Sequence, residues 1–562
     1  MANKPTDAEK GDISAVDSPT DSSDNAQEPS KARAFYRRFR PVFHLLFWTV
    51  FTAWWIASLI LHRDDKNWVV PFLLWLTLTL RIIFLWLPIS VVAAPIRWIW
   101  NNTAARITAL IPERLRIPLG AALTIAVIVV GAFASKETAD NTRANRAVSL
   151  FGLLVFILCF WATSRNRSAI NWHTIVVGFL LQFIIALFVL RTGVGYDIFS
   201  FISGLATSLL SFAKNGVAFL TSTDIAAFPY FFFSVLPAII FFVALVQLMY
   251  YIGLIQWFVR KFAVFFFWAM RISGAEAVVA SATPFVGQGE SAMLIKPFVP
   301  LLTKAEIHQI MTSGFATIAG SVLVAYIGLG VRGEILISSC IMSIPASISM
   351  SKLRYPETEE SMSAGHVIVP EDKDRAENAI HAFANGAWLG LKIAGMILAT
   401  ILCIIALIGL INGLLTWWGR YINLTGDYDL TLELILGYLF YPVAFLLGVP
   451  RGPDLLKVSR LIGVKVVVNE FVAFTLLTSD PAYADLSPRS LVIASYSICG
   501  FGNIGSLGTQ IGVLSQIAPG RSADISKIAV SALITGVFST LTSASIAGLV
   551  IQNQQNFQNT AA

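Results

Sequence analysis

The sequence predicts an all-α polytopic membrane protein of about eleven spanning helices plus two re-entrant hairpins, its core arranged as an inverted repeat. Three observations carry this. Of the 562 residues, 56% are hydrophobic and 13% are charged, whereas a soluble domain uses about a quarter of its residues as charges to cover its surface. Mean hydropathy is +0.71, and 15 Trp and 40 Phe supply rings for belts at the two membrane–water interfaces. The apolar residues also come in runs near the roughly 20 residues that a spanning helix needs.

Residues 1–40 are rich in Ser, Asp, Glu, Lys and Pro. Such a stretch buries too little surface to offset its ordering entropy, so a disordered cytoplasmic tail is expected. The first apolar run begins too late and is too long for a cleaved signal. Residues 41–225 then hold N-terminal membrane helices, with runs near 43–61, 68–95, 117–134, 147–164 and 172–192. The stretch around 196–219 mixes Ser, Gly and Lys with apolar residues and reads as an interfacial helix. Residues 226–553 form the core, with runs near 230–258, 305–330, 334–350, 386–414, 462–478, 487–513 and 524–552. Residues 554–562 are a short C-terminal tail. Two further apolar stretches, 272–300 and 430–450, are interrupted by Gly and Pro and predict the hairpins.

Basic residues on short loops set the orientation. Arg33, Arg37, Arg38 and Arg40 precede the first run, and Arg97, Arg106, Arg114 and Arg116 follow two runs later. Arg165 and Arg167 come after another two. All three loops place the N-terminus in the cytoplasm, and the charged loop from Lys352 to Ala384 is expected there too.

Several function classes are disfavoured. The net charge of +7 is scattered over loops with no basic stripe, so nucleic acid is not a partner. Cys159, Cys340, Cys403 and Cys499 all lie inside apolar runs, against disulfides. The six His lack ligand spacing for a metal. No Gly-rich loop ends in Lys-Ser/Thr, which argues against ATP-driven pumping. No nucleophile, metal set or cofactor motif supports an enzyme.

A coarse duplication runs through the second half, one copy near 272–330 and the other near 430–478. Each begins with a broken apolar stretch and continues into a helix with a polar interruption, the pattern that marks a midplane site between repeats. In the first copy, Pro284, Gly287 and Gly289 break the stretch from Gly274 to Pro297. Gln288 and Glu290 then sit at the tip of two half-helices. A Glu inside a membrane is costly and normally faces a site or a partner. Capping of the half-helix or pairing with Lys296 is the bland alternative. On the next helix, Thr317, Gly320 and Ser321 fit close helix packing and local unwinding equally well.

In the second copy, Tyr441-Pro442 divides two short apolar halves, and Asn469-Glu470 follows inside a spanning run. Lys465 is five residues before Glu470, too far around a helix for a good pair. Glu470 is therefore expected to serve a site. Asn503 and Ser506, three apart among glycines, share one helix face.

Four motifs carry a resemblance: Phe285-Val-Gly-Gln-Gly-Glu-Ser, Thr312-Ser-Gly-Phe-Ala-Thr-Ile-Ala-Gly-Ser, Asn469-Glu-Phe-Val-Ala-Phe and Cys499-Gly-Phe-Gly-Asn-Ile-Gly-Ser. In this order, over about Glu276 to Leu549, they resemble the concentrative nucleoside transporter family. Three extra N-terminal spans fit its longer eukaryotic members. The resemblance implies a plasma-membrane homotrimer with an elevator-like domain, importing nucleosides such as uridine and adenosine. It implies that Gln288, Gly289, Glu290 and Val322 face the base, while Glu470, Asn503 and Ser506 bind the ribose. The Gly287-Gln288 pair resembles the broad-selectivity members. A membrane-embedded enzyme or a passive channel is the alternative from another class.

Two departures from the family pattern matter. Gly289 stands where the family usually has Thr, which removes a hydroxyl. Thr283, followed by Pro284, stands where sodium-binding members have Asn, while Val286, Thr317 and Ile318 match the remaining sodium positions. On that ground proton coupling is expected, with Glu290 as proton acceptor, and sodium is the alternative coupling ion. No other cofactor is implied.

Overall fold

The computed structural model describes residues 31–61, 69–86, 111–138, 141–228, 230–296, 298–361, 376–426 and 429–551, with isolated positions between 87 and 110. All regular elements among them are helical. The chain divides into two units, residues 1–112 and 113–562.

In the first unit, α1 (Lys31–Leu61) pairs with α2 (Val69–Trp86). An indole N–H in an apolar setting needs an acceptor, and two threonines supply them. Trp48 Nε1 donates to Thr79 Oγ1 at 3.1 Å, and Trp75 Nε1 to Thr52 Oγ1 at 2.9 Å. Trp55 stacks on Trp75 with ring centroids 4.5 Å apart. Helix α1 starts at Lys31, so residues 31–40 of the expected tail are helical. The rest of that tail, and the C-terminal one, lie outside the described residues.

The second unit begins with α3 (Glu113–Phe133), α4 (Arg143–Ala162), α5 (Trp172–Arg191) and α6 (Gly193–Leu220). The last, expected at the interface, is a 28-residue helix whose length and composition alone would also suit a span. After short turns come α7 (Leu236–Ile252) and α8 (Leu254–Met270), bent by 77° at Gly253, whose φ is +86°. Then follow α9 (Gly274–Val286), α10 (Gln288–Met293), α11 (Lys304–Ala316), α12 (Gly320–Gly328) and α13 (Gly333–Arg354). Helix α14 (Ala379–Tyr421) runs 43 residues and leads to α15 (Leu432–Leu446). The chain closes with α16 (Pro453–Val467), α17 (Glu470–Ser479), α18 (Pro488–Ile498), α19 (Ile504–Ile517) and α20 (Ser522–Val550). Among the described residues, nine helices are long and apolar enough to cross a membrane, or ten when α7 and α8 count as one span.

The duplication is present with one boundary moved. In the first copy, a pair broken at Gly287 (α9/α10) precedes a pair broken at 317–319 (α11/α12) and then the intact α13. In the second, α16/α17 break at 468–469, α18/α19 break at 499–503, and α20 is intact. The hairpin expected at 430–450 is not there. Helix α15 runs through Tyr441-Pro442 unbroken, because one proline removes a single backbone donor that neighbouring groups can compensate. The break lies instead at Val468-Asn469, inside the 462–478 run expected to be a continuous span.

Helices α13 and α20 form the middle of the unit and are buried along most of their length. Both are lined with small hydroxyl residues, Ser338, Ser343 and Ser347 on one and Ser539, Thr540 and Ser543 on the other. Small side chains let helices approach closely in lipid, and the hydroxyls settle on backbone carbonyls, as Ser539 Oγ does on Thr535 O at 2.7 Å. The end of α20 is held by cations. Arg489 donates to Gly548 O at 2.5 Å and Arg191 to Val550 O at 2.9 Å, while Asn141 donates to Ile551 O. Arg146 and Arg489 are fully buried and share Asn141 Oδ1 as acceptor. Positive charge at a helix C-terminus complements its dipole.

The two breaks cross. Phe501 N donates to Thr317 O at 3.2 Å, and a Cβ at Gly500 would stand 2.7 Å from Thr540 Cγ2 and 3.1 Å from Phe315 O. Gly500→Val is therefore expected to destabilise the protein by about 1–3 kcal/mol, the range for overpacking. Gly508→Ala, with open space around it, serves as a near-neutral control. Thermal unfolding in detergent reads the difference; equal midpoints for the two variants would contradict the crossing.

Candidate functional site

The first hairpin is set by its caps and its tip. Ser273 and Glu276 form a capping box at the start of α9, and Gly287 at the tip has φ 100° and ψ 170°. A side chain is strained at that φ, so the tip requires glycine. Near the tip, Thr283 Oγ1 donates to Val279 O at 2.6 Å and lies 3.1 Å from Ser291 Oγ. Thr317, at the first helix break, is extended and donates its hydroxyl to Ser313 O at 3.0 Å. Thr317 and Ala319 are extended, so the Thr317 carbonyl leaves the helical ladder and accepts from Phe501 N, while the Ala319 carbonyl opens α12 by accepting from Leu323 N at 2.9 Å.

Gln288 opens α10 and lies over α11, its Cβ 3.0 Å from where a Cβ on Gly314 would stand. Gln510 Nε2 of α19 is equally close to that point. The side-chain oxygens of both glutamines are buried and have no hydrogen-bond partner among the described residues. Buried acceptors are nearly always satisfied, and these two lie beside the same point of α11. A Cβ on Gly289 would meet Val513 of α19 at an ordinary 3.5 Å. Glu290 is on α10, but its side chain lies outside the described positions. Val322 is buried on α12, close to the break.

The second hairpin delivers a carboxylate. Asn469 caps α17 by accepting from Val472 N at 2.8 Å, which leaves Glu470 as its first residue. Glu470 is 4% exposed. Its Oε1 accepts from the Tyr326 hydroxyl at 2.9 Å and its Oε2 from Asn503 Nδ2 at 2.7 Å. Asn503 also caps α19, its Oδ1 accepting from Ser506 N at 2.7 Å. Ser506 is half-buried one turn into that helix. Lys465 ends on the other side of the break and donates to Thr540 Oγ1 at 3.4 Å.

The structure thus gathers Glu470, Asn503 and Ser506 into one hydrogen-bonded group. It sets Gln288 and Gly289 against α11 and α19, and places Thr283 and Thr317 at the two discontinuities of the first copy. Sequence reasoning missed Tyr326 and Gln510. Each carried a faint signal: Tyr326 is one turn beyond Val322 on the same face, and Gln510 is two turns beyond Asn503.

The geometry agrees with comparisons to known proteins. Models described as the C-terminus and N-terminus of the Na+ dependent nucleoside transporter match residues 335–548 and 151–224. A third, described as a nucleoside recognition gate, matches residues 232–332. An inward-facing, substrate-bound structure of CNTnw is 34% identical, with a TM-score of 0.67 over 74% of this chain and 99% of that one. The chain belongs to the concentrative nucleoside transporter family. An outward-facing structure of a substituted CNTnw gives a TM-score of 0.69 over 73% of this chain and 99% of that one, again at 34% identity.

Among curated relatives, solute carrier family 28 member 3 of Homo sapiens is 36% identical over 78% of this chain and 64% of its own length. Sodium/nucleoside cotransporter 1 of Oryctolagus cuniculus is 34% identical over 73% of this chain and 63% of its own length. The chain thus spans just under two thirds of the curated relatives it matches. It is a multi-pass membrane protein, and the family's fold is that of transporters, not enzymes. The expectation of proton coupling is overturned: two of the three matching family models are described as Na+ dependent, and matching relatives are named sodium/nucleoside cotransporters. That expectation rested on Thr283 being shorter than Asn and on Pro284 following it. The Thr283 hydroxyl, however, lies 2.6 Å from Val279 O and 3.1 Å from Ser291 Oγ, and a hydroxyl that donates its one proton keeps lone pairs to accept with.

Asn503 has two jobs that substitution separates. Asn503→Ser keeps a capping oxygen and loses the donor to Glu470, whereas Asn503→Ala loses both. The Ala variant is expected to be about 1 kcal/mol less stable than the Ser variant, the worth of an N-cap. Thermal unfolding that ranks them equal would contradict the capping role.

Proposed function

We propose that this protein is a sodium-coupled symporter that imports nucleosides such as uridine and adenosine against a gradient. What carries the reading is the Glu470 carboxylate, buried where the two helix breaks cross and held by Tyr326 and Asn503. A carboxylate has about four lone-pair sites, so two hydrogen bonds from the protein leave it able to accept from a ribose diol. In this reading Asn503 and Ser506 complete the ribose subsite. Gln288, Gly289, Glu290 and Val322 face the base, where the unpaired Gln288 amide oxygen accepts from a base edge. Gly289 leaves that subsite roomier than a Thr would, in keeping with selectivity for both purines and pyrimidines.

Sodium is a hard cation and takes oxygen ligands, as calcium and magnesium do. Thr283 and Thr317 supply hydroxyl oxygens whose protons are committed to Val279 O and Ser313 O. Val286 and Ile318 supply carbonyls. Sodium bound there joins the first hairpin to the first helix break, which links cation occupancy to the shape of the nucleoside pocket. The names of the relatives support this ion and this substrate class. An elevator-like motion of residues 272–330 and 453–550, a homotrimer, a plasma-membrane location and a cytoplasmic N-terminus belong to the same proposal.

Uptake of radiolabelled uridine into proteoliposomes tests it. Accumulation is expected under an inward sodium gradient and not under a proton gradient alone; the reverse result would overturn sodium coupling. Thr283→Ala is expected to raise the sodium concentration for half-maximal uptake about tenfold, as the loss of one contact near 1.4 kcal/mol does. An unchanged sodium dependence would remove Thr283 from the ion site.

A further inference from the structure

We propose, building on the base subsite described above, that Gln510 is a specificity-determining residue of this transporter. From the inward face of α19 it supplies an amide that, beside Gln288, hydrogen-bonds the amino- or oxo-bearing edge of the nucleobase. It adds to that subsite a residue from the second copy of the repeat.

Helix α19 starts at the ribose end, where Asn503 caps it and holds Glu470. Asn503, Ser506 and Gln510 stand at i, i+3 and i+7, the spacing of one helix face. Leu514 is the next buried residue on that face. Seven residues of helix rise about 10 Å, close to the length of a nucleoside from its ribose to the far edge of its base. A ligand with its ribose at Asn503 and its long axis along α19 thus brings its base edge level with Gln510.

The first copy meets α19 at this level. Helices α10 and α11 both pack on α19. A Cβ on Gly314 would stand 3.0 Å from Gln288 Cβ, 3.0 Å from Gln510 Nε2 and 3.2 Å from Gln510 Oε1. The missing side chain of Gly314 is what lets the two glutamines converge on α11. Gln510 is 1% exposed, and its Oε1 has no hydrogen-bond partner among the described residues. A buried amide is costly without a partner, and its neighbours along the face, Leu507 and Leu514, are apolar. Packing alone would be served there by another leucine; an amide with an open acceptor serves recognition.

An amide also suits a carrier of both base classes. Its NH2 donates and its carbonyl accepts. The torsion that carries it is broad and roughly two-fold, so a half-turn exchanges the two. One setting meets an amino group beside a ring-nitrogen acceptor, as in adenosine and cytidine. The other meets an oxo group beside a ring N–H, as in inosine and uridine. Breadth then comes from the edge that purines and pyrimidines share rather than from the size of the ring.

Gln510→Met keeps the length of the side chain and removes both hydrogen-bonding groups. Uptake into proteoliposomes is compared for adenosine against purine riboside, and for cytidine against pyrimidin-2-one riboside. The second member of each pair lacks only the exocyclic amino group. The variant is expected to lower kcat/KM for adenosine and cytidine about tenfold, as the loss of a partner for a buried polar group does, chiefly through KM. The two amino-less ribosides are expected to change less than about twofold. Ratios that stay at their native values, whether all four substrates slow together or none does, would overturn the role of Gln510. Native protein that takes both members of each pair equally well would overturn it too, and that arm needs no variant. Gln288→Met separates the two levels. Ratios unchanged in both variants sink the base subsite itself; ratios lowered by Gln288→Met alone sink only the role of Gln510.

Discussion

Inside a membrane every backbone polar group must find its partner within the protein, and that constraint governs this structure. Besides the bend at Gly253, four helical segments of the second unit are interrupted, and each interruption takes N–H and C=O groups out of the helical ladder. The protein meets the demand by crossing its breaks over one another. Phe501 N reaches Thr317 O, Asn469 and Asn503 cap the helices that restart, and glycines at 500 and 502 leave room for the backbones to meet. Close approach in turn requires the small, hydroxyl-lined faces of α13 and α20, which explains why so many buried serines and threonines gather there.

The same economy places the charges. A buried carboxylate is expensive unless it is hydrogen-bonded, and a helix start that already needs a cap brings Asn503 within reach of Glu470. Elsewhere, Glu276 at the start of α9 is neutralised by Lys352 at 2.5 Å, and the guanidinium groups of Arg146 and Arg489 are satisfied by carbonyls, hydroxyls and Asn141 rather than by acids. Structural charges are thus tied off within the scaffold. Glu470 differs in that both its hydrogen-bond partners are neutral donors, the Tyr326 hydroxyl and the Asn503 amide.

Much of this was legible in the residues. Composition and run length announced the membrane, and Gly287 announced the first tip because a positive φ leaves few other choices. Glu470 and Asn503 stood out as polar groups in apolar runs. The second hairpin was misread for a physical reason: Tyr441-Pro442 looks like a breaker, yet a helix tolerates it, while Val468-Asn469 holds neither Gly nor Pro and still ends a helix. The signal there was Asn469 as an N-cap. Placing Lys465 and Glu470 on one continuous helix failed with it, since the break lies between them. Tyr326 and Gln510 were only faintly signalled, because their contacts run across the repeats. The coupling ion was misjudged from the length of Thr283 and the proline after it, features that do not by themselves exclude an oxygen ligand.

The central claim is that the crossing of the two breaks forms the substrate site, with Glu470 as its ribose acceptor. Its most direct test is an experimental structure of the protein with uridine and sodium. The account predicts ribose density within hydrogen-bond distance of Glu470 and Asn503, and base density toward Gln288. Uridine bound elsewhere, with the Glu470 carboxylate touching only Tyr326 and Asn503, would contradict it.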